Sequence, residues 1–338
     1  MRAVSIAWTN DGDAMKRRDF LSLLVGAAAL PAWPRDTTAE PAYPARPVRI
    51  IAGFAAGGGV DITARLIGQW LNERLGQSFV VENRTGADGN IATEAVINAP
   101  ADGYTLLLAT LPNAVNASLY PKLNFVFLRD IAPVSGVIRV PMVVLVHPSL
   151  TATTIPELIA HAKANPGRIN MASAGTGSAP HMAGELFNAM AGVNMTHVPY
   201  RGQSQALTDL LGGQVQILFA AAPGTADYIK TGQLRALALT AASHAEGLRE
   251  LPIVAKFLAG YEASQWYGIA APTKTPADVV ERLNREINAA FVDQAMLTRF
   301  AAIAGEPIPG APGDFGKLMS DETEKWAKVV KFAGVKVE

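Results

Sequence analysis

The chain has 338 residues, 49% of them hydrophobic and 17% charged, which is too long for one ordinary domain and rich enough in apolar side chains to bury a sizeable core. Lys plus Arg and Asp plus Glu number 29 each, so the basic excess of a nucleic-acid binder is excluded. There is no cysteine, which excludes disulfide scaffolds, cysteine-ligated zinc or iron–sulfur centres, thiol nucleophiles and a lipidated cysteine anchor.

The N-terminus has the order of an export signal. Met15-Lys16-Arg17-Arg18-Asp19-Phe20-Leu21 is basic, residues 21–30 are apolar and small, and residues 31–40 are polar with two prolines. Ten apolar residues are too few to span a bilayer, which takes about 20. This pattern predicts a signal peptide over residues 1–39 that starts at Met15 and is cut between Ala39 and Glu40. Arg17-Arg18-Asp19-Phe20-Leu21 is also similar to the twin-arginine export consensus, which implies export in the folded state. The competing reading is a buried N-terminal helix. Residues 1–39 hold five basic and four acidic residues, so their removal leaves a net charge of −1. No later apolar stretch is both long and uninterrupted enough for a membrane span.

The mature chain alternates strand and helix patterns. Residues 48–54 read as a strand, followed by a glycine run and an amphipathic helix over 61–75 whose apolar positions Ile62, Leu66, Ile67, Trp70, Leu71 and Leu75 recur at helical spacing. A strand at 79–82, a helix at 91–98 and an almost wholly apolar strand at 104–109 come next. An apolar run at 140–146 leads into a second set: helix 155–164 begun by Thr154 with Glu157 three residues on, strand 168–172, a helix within 177–190, strand 196–200, helix 204–211, strand 216–220, helix 223–230 and strand 234–240. A strand at 266–270 and helices near 277–291, 294–304 and 312–332 close the chain. Strands separated by helices predict an α/β fold, and the long connections near 140 and 255 suggest that the chain crosses between two lobes and returns, with a cleft between them. The predicted division is a first lobe from residues 40–140 and 256–338, and a second from 141–255.

Three strand-to-helix junctions carry candidate binding chemistry. Phe54-Ala55-Ala56-Gly57-Gly58-Gly59-Val60-Asp61 follows a strand and opens a helix, so glycine-freed backbone and unpaired helix-start amides make an anion site without a formal cation. It has neither the lysine of a Walker loop nor the full dinucleotide spacing, and Asp61 either caps the helix or meets a ligand. Ser173-Ala174-Gly175-Thr176-Gly177-Ser178 repeats the arrangement before a helix that carries His181 and Glu185. In Val198-Pro199-Tyr200-Arg201-Gly202 a guanidinium stands ready to pair with a carboxylate through two parallel bonds. The plainer readings are a tight turn, N-capping by Ser178 and a solvated arginine. Gly202-Gln203-Ser204-Gln205-Ala206 nearly matches a hydrolase nucleophile elbow, with Asp227 and His244 in hydrolase order, so a serine hydrolase using Ser204 is the rival function. The last glycine of that motif is alanine, and Ser204 is also placed to cap a helix. No two histidines have the helical spacing of a metal pair.

These residues resemble a known family. Tyr43-Pro44-Ala45-Arg46-Pro47-Val48-Arg49-Ile50-Ile51, then Phe54, Gly57, Gly58 and Asp61 in the following turn, are similar to the start of Bug-type solute-binding receptors of tripartite tricarboxylate transporters. The resemblance runs on through Val81-Glu82-Asn83-Arg84, Ala101-Asp102-Gly103-Tyr104-Thr105, His197-Val198-Pro199-Tyr200-Arg201-Gly202, Leu234-Arg235-Ala236-Leu237-Ala238 and Trp326-Ala327-Lys328-Val329-Val330. It implies an α/β, two-lobed, periplasmic-binding-protein-like fold with a hinged cleft between the lobes. It also implies a periplasmic, monomeric protein without cofactor or catalysis. Such a protein binds a small organic acid and delivers it to membrane subunits. The residues it implies as ligand contacts are Phe54, Gly57, Gly58 and Asp61 from one lobe, Ser173, Gly175, Thr176, Ser178 and His181 from the other, with Tyr200 and Arg201 nearby and Thr110 and Asn113 as further candidates. The chain departs from the family pattern at Gly53, where proline is usual, and over residues 216–221, where members often carry Asp. The second departure argues against an amino-acid ligand and for a dicarboxylate or an aromatic acid.

Overall fold

The computed structural model describes residues 43–222, 224–242 and 250–337. The expected signal peptide, its cleavage point and His244 lie outside the described residues. From Tyr43 onward the chain forms one unit. The first set of elements is β1 (Val48–Ala52), α1 (Gly59–Leu75), β2 (Phe79–Asn83), α2 (Asn90–Ile97), β3 (Thr105–Thr110), α3 (Leu111–Leu119) and the short α4 (Phe127–Asp130). A 16-residue strand, β4 (Ile131–Val146), leads into α5 (Ile155–Ala164), β5 (Asn170–Ser173), α6 (Ala179–Ala191), β6 (Thr196–Pro199), α7 (Gln203–Leu211), β7 (Ile217–Ala221), α8 (Ala226–Lys230) and β8 (Arg235–Leu239). The chain ends in β9 (Ser264–Pro272), α9 (Ala277–Ala289), α10 (Gln294–Ala302), the two-residue β10 (Glu306–Pro307) and α11 (Pro312–Ala333).

The strands order as β2-β1-β3-β9-β4-β7-β5-β6, with β8 and β10 also paired to β4. β1 is parallel to β2 and β3, and β5 is parallel to β6 and β7, so each half of the sheet contains a strand–helix–strand unit. β9 is antiparallel to β3, and β4 is antiparallel to β9 along residues 131–141. From Met142 onward β4 changes partners and pairs with β7 and β8. One strand therefore belongs to both halves.

Both faces of the central strands are covered. Leu106 and Leu108 of β3 pack with α1, α9 and α10, while Leu107 and Ala109 face α3 and α11. This explains the unbroken apolar sequence of β3, since a strand buried on both faces needs no alternation. The return helix α11 packs on α3 in one half and on α6 in the other. Its inner face carries Phe315, Met319, Trp326 and Val330, all buried. The Trp266 and Trp326 indoles both donate to the buried Glu322 carboxylate, at 3.2 and 2.8 Å.

The sequence reading lacks α3, α4, β10 and the first part of β4. The first ten residues of β4 contain Pro133, Ser135 and Gly136, which depress strand propensity. The structure absorbs them as irregularities between Pro133 and Ser135 and between Gly136 and Ile138. Helix α3 opens with Leu111-Pro112-Asn113, an opening that reads as a turn. It forms because Asn113 Oδ1 accepts from the Thr110 backbone N–H at 2.7 Å and so closes the first turn.

The seat of α11 depends on one glycine. A Cβ on Gly268 of β9 would lie 2.2 Å from the Phe315 ring. We expect Gly268→Ala to cost about 1–3 kcal/mol by overpacking. Gly313→Ala, on α11 itself where a Cβ meets nothing within 4 Å, should instead add up to about 1 kcal/mol by helix propensity. Urea unfolding midpoints of the two variants should move in opposite directions.

Candidate functional site

The first junction folds as the sequence implies, but its acid is occupied. Gly57 takes a left-handed φ of 80°, and Gly58 is the N-cap of α1. Asp61 is buried and turned back into the loop. Its Oδ2 accepts from the Gly57 N–H at 2.9 Å and from Arg65 Nε at 3.0 Å, and Arg65 Nη2 lies 2.9 Å from Oδ1. The Arg65 hydrogen bond, with the Gly57 amide behind it, holds the carboxyl down to about 2. Asp61 thus fixes the turn and carries a matched charge. Asn83 Nδ2 donates to the Phe54 carbonyl at 2.9 Å, anchoring the turn to β2. A Cβ on Gly53 would lie 2.7 Å from Gly89 Cα, so this turn sits hard against the start of α2.

Thr110 and Asn113 join the same corner from β3 and α3. The Thr110 hydroxyl donates to Asn113 Oδ1 at 3.2 Å. Asn113 Nδ2 donates to Thr93 Oγ1 at 2.9 Å, and Thr93 donates on to the Gly89 carbonyl at 3.0 Å. Their side chains are therefore engaged in tying α3 to α2.

The second junction is built around a histidine pair. Gly175 and Gly177 have left-handed φ values of 123° and 81°. Gly177 N–H donates to His181 Nδ1 at 3.0 Å, which requires that nitrogen to be unprotonated. His181 stacks on His197 with ring centres 3.6 Å apart and planes 13° from parallel. His197 Nε2 lies 2.6 Å from Ser173 Oγ, and Ser173 Oγ accepts from the Gly175 N–H at 3.1 Å. Ser178 is the N-cap residue of α6, but its hydroxyl donates to the Gly175 carbonyl at 2.6 Å rather than capping the helix amides. His181 Nε2 stands 3.6 Å from Glu185 Oε1. Ser173, Ser178 and His181 are thus internal braces of the turn, and Thr176 is its hydroxyl without a partner among the described residues. Leu119 at the end of α3 packs against this turn, since a Cβ on Gly177 would lie 2.6 Å from its Cδ2. Packing thereby links α3 of the first half to the glycine turn of the second.

The third segment splits in two. The Tyr200 hydroxyl donates to Asp209 Oδ2 at 2.7 Å; burial, with that hydrogen bond behind it, pushes the phenol up to about 12. Arg201 is exposed, and its guanidinium has no ion-pair or hydrogen-bond partner among the described residues. The Tyr200 N–H donates to the Ser173 carbonyl at 3.1 Å, which sets Arg201 one residue beyond the second glycine turn.

Ser204 does not form an elbow. The N-cap of α7 is Gly202, so Ser204 lies inside the first turn of the helix, exposed, and not at the cap expected for it. Among the described residues no histidine is hydrogen-bonded to it, and His244 lies outside them. No group of three potential metal ligands occurs, and no helix is long and apolar enough to cross a membrane, among the described residues.

His197 escaped the sequence reading as a site residue because only the fold stacks it on His181. The structure holds its imidazole down to about 3, first by burial and second by the neighbouring His181 ring. An unfolded histidine titrates near ~6.5. As pH falls the unfolded chain binds this proton first, so stability is full above about pH 6.5 and declines from there toward 3. Asp61 acts lower, its contribution being lost only as pH falls from the usual carboxylate range toward 2. Melting temperature should therefore drop between about pH 7 and pH 5, and His197→Gln should flatten that slope in a pH series of calorimetric scans.

Comparison with known proteins agrees with this architecture. A family model described as the tripartite tricarboxylate transporter family receptor matches residues 63–335. Protein BugT of Bordetella pertussis is 38% identical over 301 residues, covering 88% of this chain and 92% of BugT. Among solved structures, an R. palustris protein with adipate is 35% identical with a TM-score of 0.77, covering 87% of this chain and 99% of its own. The periplasmic binding protein BugD is 32% identical with a TM-score of 0.74, covering 88% of this chain and all of BugD. MatC from Rhodopseudomonas palustris with bound malate is 28% identical with a TM-score of 0.74, over 85% and 100% of the two chains. With a family model across most of the described residues and relatives matched nearly end to end, the chain belongs to the tripartite tricarboxylate transporter receptor family.

Proposed function

We propose that the exported, mature protein captures a small organic acid between two lobes, residues 40–140 with 256–338 and residues 141–255, and presents it as a monomer to membrane subunits of a transporter. One observation carries the reading. Two long helices, α1 and α6, each begin at a glycine turn braced from within, and the acid buried at the first turn is already matched by Arg65. The free amides of such helix starts favour a carboxylate by roughly 0.3–1 kcal/mol each, more where partly buried. Arg201, unpartnered among the described residues, adds a guanidinium at the edge of the second turn. Adipate and malate, present in two similar structures, are acids of this class.

The absence of a carboxylate from β7 favours a ligand without an amino group. β7 reads Ile217-Leu218-Phe219-Ala220-Ala221 with no carboxylate, and Gln216 before it is spent on the Asn170 N–H at 2.9 Å. An ammonium would find no counter-charge on that strand, whereas a dicarboxylate or aromatic acid needs none. Binding closes the lobes because the bridging ligand has higher affinity for the closed form.

Thermal-shift screening of the mature protein tests this directly. An acid at about 100 times its dissociation constant should add about 2.7 kcal/mol of stability. Arg201→Ala should weaken that acid about tenfold to a hundredfold with the unliganded melting temperature unchanged, the loss of a charge-assisted bond at an exposed site. Ester turnover abolished by Ser204→Ala, with no shift from any acid, would return the assignment to the hydrolase.

A further inference from the structure

Tyr267 lies on β9, directly across from Thr110 of β3 and from Ile138 of β4. Thr110 is the last residue of its strand, so Tyr267 stands at the sheet edge from which the first glycine turn and α3 depart. Its ring packs with the core beside α1 and α9, and the residue is only 7% exposed. A Cβ on Gly59, the first residue of the 17-residue helix α1, would lie 2.8 Å from the Tyr267 hydroxyl oxygen. The phenol thus points its polar atom at the start of α1, and a glycine there gives it room.

That hydroxyl has no hydrogen-bond partner among the described residues. Tyrosines elsewhere in this half are satisfied: Tyr43, at the far end of β3, donates to the Gly103 carbonyl at 2.7 Å, and Tyr120 donates to Asp88 at 2.9 Å. The ring is buried, but the oxygen itself is not among the enclosed unpaired polar atoms, so an incoming acceptor can reach it, and the polar tip of a buried tyrosine usually finds a partner. Burial also drives the Tyr267 phenol well above its usual range, so it is a donor at any physiological pH.

We propose that Tyr267 is a ligand-binding residue whose O–H donates to an acceptor oxygen of the acid held at the start of α1. The inference rests on the acid-binding reading and adds to it a contact from the return strand, an element that none of the three glycine or arginine segments supplies. The phenol contributes directionality that helix amides alone lack. It selects for ligands that place a polar atom over Gly59 and against those that place a methyl group there.

The test is calorimetric titration of the mature protein with malate, succinate, adipate and benzoate. Tyr267→Phe removes one oxygen and leaves the packing, so its melting temperature should equal or exceed that of the wild type. Its affinity for the acid that binds the wild type should fall about tenfold to a hundredfold, as for a hydrogen bond to a charged group. Gly59→Ala, which displaces the phenol rather than removing it, should weaken the same acid. Wild-type affinity in Tyr267→Phe overturns the Tyr267 assignment and leaves acid binding intact. Failure of the wild type to bind any of the four acids overturns both.

Discussion

Everything in this fold is referred to β4. Residues 131–141 pair with β9, and residues 142–146 pair with β7 and β8, so a single extended segment sets the position of one half of the sheet against the other. The change of partner is pinned rather than left to strand pairing alone. At Met142 the backbone N–H donates to Thr240 Oγ1 at 3.0 Å, while the Met142 carbonyl accepts from the Thr240 N–H at 2.9 Å. The next residues of the crossing, from Arg139 to Glu262 and Lys325, form an ion-pair chain that reaches Glu322 on α11. These charges are partly buried and share partners, a setting in which ion pairs act as a group rather than as weak isolated surface contacts. Because β1 and β3 hang from β9, and β5 from β7, the glycine turns at their ends inherit their positions from this one strand.

The parts of the site legible in the sequence are those coded by short-range rules. Glycines between a strand and a helix announce a turn with exposed amides, and both turns stand where the pattern puts them. Residues that work through tertiary contact are not legible in the same way. Tyr267 lies in the run Trp266-Tyr267-Gly268-Ile269-Ala270, where an aromatic reads as core, and its ring is in fact core. Only the register opposite Thr110 brings its hydroxyl to the sheet edge. His197 stands between Thr196 and Val198 in the short strand β6, and nothing within ten residues of it hints at His181. The first part of β4 is hidden for a local reason: proline, serine and glycine weaken a strand prediction, and the structure absorbs them as irregularities within the pairing to β9.

Asp61 shows that a carboxylate near a glycine turn has structural work of its own. A carboxylate at the start of α1 is favoured by the helix dipole whether or not a ligand comes. Here it accepts from the Gly57 amide and pairs with Arg65, so it consumes one turn amide and stiffens the rest. An uncompensated Asp would repel an incoming carboxylate at close range. With Arg65 bound through two nitrogens, the pair presents no net charge, and the remaining amide dipoles set the local potential. The second turn is braced by imidazoles, with His181 Nδ1 accepting from the Gly177 amide and His197 Nε2 beside the Ser173 hydroxyl.

This division of labour bears on how a nearly neutral receptor discriminates among acids. If recognition depended on a formal cation such as Arg201 alone, acids of the right size would be poorly told apart, because Coulomb attraction has little angular preference. Amides on braced turns, a threonine hydroxyl and a phenol each demand an acceptor along a particular direction. The interior bonds made by Asp61, Ser173, Ser178 and His181 leave those donors few alternative orientations, so an acid that misses one cannot recruit the turn to follow it. In the proposed reading, stiffness comes from these internally bonded residues and selectivity from the donors they leave free. The packing of Leu119 against Gly177 extends that stiffness across the two halves. In the proposed closure, the change would fall on β4, the strand shared by the two halves, rather than on the braced turns.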